Sequence, residues 1–355
     1  MPNQADAIIP AMRLSELGEF GLIDIIRTAV NRCQDCGRGP TPEVLLGIGD
    51  DAAAWESCNG IQLATTDTLV QGIHFDLAII NWEELGWKAL AVNLSDVAAM
   101  GGIPNYALLS LALPTQLKVK DVSQFVNSLT HMAAQFGVTI VGGNVTSAPN
   151  TVITMTIIGC SKGKTMLKRS TASSGDQIAV TGYVGASAAG LKMLKGNTIS
   201  NPEVRDVLRQ AHLRPMPRVE EGQILLEQGV RTAIDISDGL IADLDHICES
   251  SRVSAKINIE QVPIHPIVAA HFPDSQELAL SGGEDYELIF TADKATIARA
   301  KRALRCPVTI IGDITEEESP MRVLVVDNKG TIIPYKRKGW DHFENASAHV
   351  QLAQS

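Results

Sequence analysis

Short apolar runs alternate with longer amphipathic stretches along most of this 355-residue chain. The apolar runs have the length of strands and most end at a glycine or an aspartate, whereas the stretches between them have the period of helices. This alternation predicts mixed α/β layers rather than a sandwich or a helical bundle. The predicted strands are residues 44–48, 61–66, 106–113, 138–141, 152–158, 178–181, 232–236, 253–259, 286–291 and 308–311, and the predicted helices are residues 82–100, 120–136, 186–194, 203–212, 218–228, 240–249 and 295–304.

Length and composition indicate two globular domains. The chain suits two domains of roughly 150–200 residues each, and its 45% hydrophobic and 20% charged residues are typical of a folded protein. The polar stretch 161–165 marks a connection, and we place the boundary near residues 160–170, which gives domains 1–163 and 164–355. No run of about 18 apolar residues occurs, and residues 1–12 lack the basic and hydrophobic blocks of a secretory signal. We therefore expect a cytoplasmic protein that does not enter a membrane.

The charge balance argues against nucleic acid as a partner. The chain has 30 Lys and Arg against 40 Asp and Glu, a net charge of −10, and no run of basic residues that could follow a phosphate backbone. An acidic surplus suits a protein that gathers divalent cations. Of the six cysteines, Cys33 and Cys36 form a C-x-x-C pair and the others are solitary, so we expect reduced thiols rather than a zinc cluster.

The predicted helix 82–100 carries a carboxylate on an apolar face. The stripe that contains it consists of Leu85, Ala89, Val92, Asp96 and Met100. The opposite face is apolar too, which predicts that the helix is covered on both sides, with a second subunit as one candidate cover. An ionised Asp96 in such a place needs a cation or several hydrogen-bond donors, although a bond to the backbone or to Ser95 explains it equally well.

Acidic residues stand beside glycine or threonine at the ends of five apolar runs. The five segments are residues 47–51, 65–68, 96–102, 235–239 and 282–286. Mg²⁺ takes hard oxygen ligands, commonly one or two carboxylates with phosphate oxygens and waters, and glycine lets backbone and phosphate approach closely. One such segment is weak support, because Asp-Gly pairs are common in turns and Asp caps helices. Five together indicate a site for a polyphosphate and a metal.

Two glycine-containing segments resemble phosphate-binding loops without matching their pattern. Residues 159–165 have three residues between the glycines, where the Walker pattern needs four, and no convincing helix follows. Residues 182–190 follow a strand and open a helix of small residues, which suits a phosphate or an ordinary turn equally. The cations that could hold phosphate or simply be solvated are Lys168, Arg169, Arg214 and Arg218.

Six segments together resemble the thiamine-monophosphate kinase family. They are residues 18–23 (GEFGLI), 47–52 (GIGDDA), 66–69 (TDTL), 88–101 (KALAVNLSDVAAMG), 235–240 (DISDGL) and 280–288 (LSGGEDYEL). Their order and spacing make the resemblance specific, whereas aminoimidazole ribonucleotide synthetase, selenophosphate synthetase and a hydrogenase maturation protein share only the general plan. The resemblance implies an N-terminal mixed sheet that forms a barrel-like interface in a homodimer, a C-terminal α/β domain, and ATP bound along a groove.

The resemblance also implies roles for individual residues, with ATP, thiamine monophosphate and several Mg²⁺ ions as ligands and with Asp67 and Asp238 at the centre of catalysis. The expected metal ligands are Asp51, Thr66, Asp67, Asp96, Asn144, Asp235 and Asp238. The expected ATP-binding residues are Thr65, Gly143, Asn144, Arg169 and Ser237. The expected residues for thiamine monophosphate are His74, Glu284 and Trp340; without the resemblance, His74 is more simply a structural polar residue and Trp340 a plug for the tail.

One position departs from the family pattern. The family usually has Gly-Gly-Asp-Thr with an arginine soon after, whereas this chain has Gly142-Gly143-Asn144-Val145-Thr146. Asn144 offers a carbonyl oxygen but no charge, so we expect one metal position to be weaker or differently occupied. Because the other carboxylates remain, we still expect activity.

The expected reaction is the phosphorylation of thiamine monophosphate to thiamine diphosphate by direct in-line transfer from ATP. Two alternatives stay open: a sibling ATP-dependent enzyme of the superfamily with another small acceptor, and a non-catalytic protein that binds thiamine phosphate and nucleotide. Glu284 and Trp340 separate the first alternative from the kinase, because a cationic thiazolium and a flat pyrimidine call for a carboxylate and an aromatic face. Asn144 is the residue that favours the second.

Overall fold

The computed structural model describes residues 60–196, 199–316 and 322–335, together with residues 13, 16, 22, 25–31, 44–46, 54–55 and 339. The chain divides into two compact units. The first comprises Met1–Leu94 and Pro104–Cys160, and the second comprises Ser95–Ile103 and Ser161–Ser355. The predicted mixed α/β class is confirmed. Among the described residues, no helix combines the length and the apolar character needed to cross a bilayer.

The first unit is built on a four-stranded sheet with the strand order β3-β6-β4-β5. β3 pairs antiparallel with β6, and β4 pairs parallel with β5. A separate two-stranded sheet joins β1 and β2. The elements are β1 (Val44–Leu46), β2 (Ala54–Trp55), β3 (Gln62–Val70), β4 (Ile103–Leu113), β5 (Thr139–Ser147) and β6 (Val152–Cys160), with helices α1 (25–31), α2 (Trp82–Ala99) and α3 (Val119–Gln135). The end of α2 from Ser95 onward and the first residue of β4 belong to the second unit.

Helix α2 is buried over most of its length. Residues 84–95 and 97–99 are buried and Asp96 is half-buried. The prediction that this helix is covered on both sides is therefore confirmed. The cover is present in a single chain, so its second apolar face does not call for a second subunit.

The second unit contains a six-stranded sheet with the order β12-β9-β11-β7-β10-β8. Its neighbours are antiparallel except for the parallel pair β12 and β9. Its strands are β7 (Gln177–Thr181), β8 (Thr232–Asp235), β9 (Ser254–Asn258), β10 (Leu288–Ala292), β11 (Val308–Thr315) and β12 (Val323–Val326). Its helices are α4 (Ala186–Leu194), α5 (Pro202–Leu213), α6 (Val219–Glu227), α7 (Leu240–Ser251), α8 (Pro266–His271), α9 (Ser275–Ser281) and α10 (Lys294–Ala303).

Among its described residues, apolar side chains form two clusters in this unit. The larger joins α7 to the sheet through side chains such as Ile178, Ile257 and Leu244, all fully buried. The smaller lies among α4, α5 and α8 and includes Leu208 and Val268. Because α4 and α7 each follow a strand of the same sheet, their first turns lie at strand ends. Polar side chains that follow β7 and β8 are thereby brought to the end of the sheet at which these two strands terminate.

Candidate active site

The turn between β8 and α7 presents Asp235, Ser237 and Asp238. A buried carboxylate from the first turn of α7 holds this turn: Asp243 Oδ2 accepts hydrogen bonds from the backbone N–H groups of Ser237, Asp238 and Gly239 at 3.0, 3.1 and 3.0 Å. Three convergent N–H donors fix the backbone between strand and helix. Ser237 and Asp238 are half-buried, and both are therefore partly accessible to a ligand.

The segment 282–288 runs antiparallel beside this turn. Leu288 lies opposite Asp235 in the β10–β8 ladder, and the pairing continues past the strands, because Glu284 N–H donates to the carbonyl of Ser237 at 2.8 Å. A Cβ at Gly283 would overlap the carbonyl oxygen of Ser237, so only glycine permits this approach. Glu284 itself has a left-handed backbone with φ 66°. Two motifs almost fifty residues apart thus meet at one strand end.

Asp235 is a buried carboxylate in a negative environment. It is 2% exposed and accepts a 2.6 Å hydrogen bond from Ser95 Oγ. Burial, with a smaller contribution from the charge of Asp96, raises the pKa of Asp235 to about 7, against the lowering effects of the Ser95 hydrogen bond and the Arg169 charge. Asp96 and Asp235 therefore lie close enough to repel each other. A bound cation would relieve that repulsion.

A second acidic group contains a histidine. Asp238, Asp243 and His246 offer ligand atoms that all lie within 4.8 Å of one another. We did not single out Asp243 or His246 from the sequence. Their spacing of three residues on one helix, directly after the Asp-Gly turn, is the signal that could have found them.

In the first unit, the predicted ligand residues Thr65, Thr66 and Asp67 lie on strand β3, and their side chains do not all point to the same face of the sheet. Side chains alternate along a strand, so Thr65 and Asp67 share one face and Thr66 lies on the other. The Thr66 hydroxyl donates to the carbonyl of Met155 at 2.9 Å and accepts from the Thr156 hydroxyl at 3.0 Å, so it is engaged in the sheet. Asp67 is held through its backbone, whose N–H donates to Asn93 Oδ1 at 3.0 Å.

Gly143 and Asn144 lie in strand β5, which passes closely beside β4. A Cβ at Gly143 would overlap the carbonyl oxygen of Leu109, and the β4–β5 register shifts between Ala107 and Leu108. Packing against β4 is therefore a structural reason for glycine at this position. Asn144 follows it, opposite Ser110, with an exposed side chain.

His74 is positioned by the turn that follows β3. Its Nδ1 accepts the backbone N–H of Val70 at 3.0 Å. An accepting Nδ1 carries no hydrogen, so the imidazole proton resides on Nε2. The Nδ1 atom of His74 thereby stabilises the turn.

Two of the candidate phosphate-binding cations, Arg169 and Arg218, differ in exposure and in their partners. Arg169 is exposed and lies close enough to Asp235 to affect its pKa. Arg218, which we considered for phosphate binding or a solvated position, does neither: its Nε donates to Glu287 Oε2 at 2.7 Å and its Nη2 to Oε1 at 2.5 Å. The Arg218 charge is thus engaged by a buried carboxylate of the second unit.

The turn after β7 also serves structure. The N–H groups of Gly185 and Ser187, which could have bound a phosphate, donate to the two oxygens of Asp285 at 2.7 and 3.1 Å. Of the two explanations for residues 182–190, the ordinary turn is therefore correct. Burial raises the pKa of Asp285 to about 7, against the lowering effect of those two hydrogen bonds.

Two predicted residues, Asp51 and Trp340, lie outside the described residues, as do Cys33, Cys36 and Cys58. The residue before Trp340 is described: a Cβ at Gly339 would lie 2.6 Å from the carbonyl oxygen of Asp238. Gly339 itself therefore lies against the β8–α7 turn. The described cysteines, Cys160, Cys248 and Cys306, are free thiols.

Comparison with known proteins agrees with this arrangement. The models for the N-terminal and C-terminal domains of AIR synthase related protein match residues 49–161 and 173–324. Thiamine-monophosphate kinase of Buchnera aphidicola subsp. Acyrthosiphon pisum is 42% identical over 307 residues, which cover 84% of this chain and 93% of that protein. The crystal structure of thiamine-monophosphate kinase from Stenotrophomonas maltophilia K279a is similar with a TM-score of 0.75 and 35% identity, covering 87% of this chain and 96% of that chain. The structure described as AaThiL complexed with AMPPCP and TMP is similar with a TM-score of 0.71 and 34% identity, covering 94% and 99%.

Proposed function

This chain belongs to the thiamine-monophosphate kinase family, and we propose on that premise that it transfers the γ-phosphoryl group of ATP to thiamine monophosphate, giving ADP and thiamine diphosphate. The observation that carries the proposal is the pairing of the 282–288 segment with the β8–α7 turn. It brings Glu284, a carboxylate suited to a cationic ring, next to Ser237 and to the turn that carries Asp235 and Asp238, carboxylates suited to a metal ion.

The donor set fits Mg²⁺. Asp96, Asp235 and Asp238 supply hard oxygen ligands, and the pKa of Asp235 is raised first by burial and then by the nearby charge of Asp96, which a cation would offset. We propose these three residues as ligands, together with Asp51, Asp67 and Asn144, and Thr66 through its backbone. When bound, Mg²⁺ neutralises phosphate charge and aligns the transfer.

The acceptor needs no general base. A phosphate monoester has a second pKa of about 6, so its attacking oxygen is largely ionised at neutral pH. The residues of this chain therefore act by holding and orienting two polyanions. We propose that Asp67 and Asp238 are central to this task. Thr65, Gly143, Arg169 and Ser237 would contact ATP, and His74, Glu284 and Trp340 would contact thiamine monophosphate.

The assembly and the location are proposals as well. We propose a homodimer joined through the four-stranded sheet. We also propose that domain 1–163 binds ATP and Mg²⁺ and forms the dimer, and that domain 164–355 completes the nucleotide and substrate site. Support comes from the second face of β3, where Ala64, Thr66 and Thr68 are exposed in the single chain. Light scattering, which measures the molecular mass in solution, tests the proposed dimer, and a monomer at catalytic concentrations contradicts it.

We also propose that the protein acts in the cytoplasm, where ATP and phosphorylated thiamine are available to it.

The activity is tested with purified protein, ATP, Mg²⁺ and thiamine monophosphate, with products resolved by mass and a control without acceptor. Thiamine diphosphate that appears in step with ADP supports the kinase. ADP without thiamine diphosphate supports a sibling enzyme with another acceptor. Binding of both ligands without product supports the non-catalytic protein.

Two variants test the catalytic assignment. We expect Asp238→Asn and Asp67→Asn to lower kcat at saturating Mg²⁺ by about a hundredfold or more. The matched control is Asp245→Asn, on helix α7, whose carboxylate pairs with Arg322 at 3.4 Å and has no proposed catalytic role. Turnover of the Asp238 variant within a few-fold of the parent would remove Asp238 from the mechanism.

A further inference from the structure

A histidine without a role in the proposed reaction contacts the Glu284 carboxylate. His212 lies in helix α5 and is 5% exposed. Its Nδ1 lies 3.3 Å from Glu284 Oε2 and 3.1 Å from Ser187 Oγ. The Glu284 side chain is 28% exposed, so it is anchored at its buried side and reachable from the other.

Close packing of two helices brings His212 to this place. At Gly190 in α4 a Cβ would overlap the carbonyl oxygen of Leu208 and would lie 3.1 Å from the Cβ of His212. Only a glycine lets α4 and α5 approach this closely. Helix α5 begins at Pro202, where the Asn201 side chain accepts the N–H groups of Glu203 and Val204.

The 284–285 segment is tied to the same end of α4. Ser187, in the first turn of α4, donates its N–H to Asp285 Oδ1 and has its hydroxyl beside His212. Glu284 has a left-handed backbone and is bonded to Ser237 through its N–H. Glu284 is therefore restricted by its own backbone hydrogen bond, by the link of Asp285 to the start of α4, and by the imidazole of His212.

The chemistry of the contact assigns a proton. An ionised carboxylate has no hydrogen to donate, so the approach of Glu284 Oε2 to Nδ1 is favourable only when Nδ1 carries the hydrogen. The Ser187 oxygen is then a second acceptor beside the same N–H. A hydrogen bond to a charged group contributes more free energy than one between neutral groups. A Glu side chain that is already restricted in orientation also loses less rotamer entropy when it binds a ligand.

We propose that His212 is a positioning residue for thiamine monophosphate: its Nδ1–H holds the Glu284 carboxylate oriented toward the cationic ring of the acceptor. This inference rests on the proposed function, in which Glu284 contacts that ring. His212 does not touch ATP or the transferred group in this scheme. Its loss should therefore affect the acceptor alone.

The test compares His212→Leu, which removes the donor, with His212→Asn, whose side-chain N–H₂ can take the place of Nδ1–H. For His212→Leu we expect the KM for thiamine monophosphate to rise about tenfold, the loss expected for one charge-assisted hydrogen bond. The KM for ATP and kcat should stay within about twofold of the parent. For His212→Asn the KM for thiamine monophosphate should stay within about threefold. The control is His271→Leu, an exposed histidine whose Nδ1 lies near its own helix carbonyl, and it should leave both KM values unchanged.

Several outcomes separate positioning from a structural role. Equal increases in both KM values, or an Asn variant no better than the Leu variant, overturn the inference. In a Glu284→Gln background, a further tenfold loss on adding His212→Leu overturns it too. If His212→Leu does not fold, His212→Asn decides alone: a KM near that of the parent supports the inference and a tenfold rise overturns it. A parent protein that forms no thiamine diphosphate contradicts the proposed function instead.

Discussion

Replacing Arg218 by methionine should destabilise the protein without impairing ATP binding. Arg218 reaches Glu287 through two N–H groups, at 2.7 and 2.5 Å, and Glu287 is 9% exposed in its side chain. Thr181 Oγ also donates to Glu287 at 2.6 Å and accepts the N–H of Leu288 at 2.8 Å. Arg218→Met leaves the buried Glu287 carboxylate without its cation, although Thr181 can still donate to it. Breaking a buried pair in this way costs about 3–5 kcal/mol.

The pH dependence of this loss follows from the pKa of Glu287. Burial already raises that pKa, and the Arg218 hydrogen bond and charge lower it. Without Arg218 the folded-state pKa rises further above the unfolded value, so the carboxyl group stays protonated at low pH and must ionise in the core as pH increases. The destabilisation should therefore be smaller at pH 5 than at pH 8.

The assay is urea unfolding followed by circular dichroism at both pH values. The double variant Arg218→Met/Glu287→Leu should lose less stability than Arg218→Met, because it leaves no buried charge unpaired. The matched control is Arg322→Met, whose partners Asp245 and Glu249 lie nearer the surface, with an expected loss of about 1 kcal/mol or less. A loss below about 1 kcal/mol for Arg218→Met, or a raised KM for ATP at unchanged stability, would refute the assignment of Arg218 to structure.

Two further predictions concern carboxylates. The pKa of Asp285 is about 7 in the folded protein and about 4 in the unfolded chain. As the pH rises from 5 to 8, the parent should therefore lose about 2–3 kcal/mol of stability relative to Asp285→Asn. A stability difference that does not vary over that range contradicts the raised pKa. Asn144→Asp should lower the Mg²⁺ concentration that gives half-maximal turnover, because a carboxylate binds Mg²⁺ more strongly than an amide oxygen; an unchanged Mg²⁺ titration excludes residue 144 as a ligand.

Most of the secondary structure could be predicted from local pattern, and the failures have local causes. Helices α8 and α9 have six and seven residues, too few to show a helical period. Strand β12 has four residues and depends on parallel pairing with β9. Strand β5 continues through Gly142 and Gly143, where a turn seemed natural, because the glycines allow close approach to β4.

The residue types of the site were visible in the sequence, but their partners were not. Nothing local distinguishes Arg169 from Arg218, since each is a cation in a polar segment. Their difference arises because Arg218 reaches Glu287, 69 residues away in the chain, whereas Arg169 stays exposed. The same holds for Thr66, which is adjacent to Asp67 in the sequence but has its side chain on the opposite face of strand β3, where its hydroxyl bonds to Met155 and Thr156.

The sequence by itself determined the alternation of strands and helices, the acidic and glycine positions at strand ends, and the family pattern. These features depend on residues within a few positions of one another, so a linear reading captures them. The tertiary structure alone decided that Ser95 and Asp96 approach Asp235, that His212 contacts Glu284, and that Asp285 rather than a phosphate occupies the first turn of α4. Burial and charge interactions vary with distance in space, and that distance is set only when segments far apart in the chain pack together.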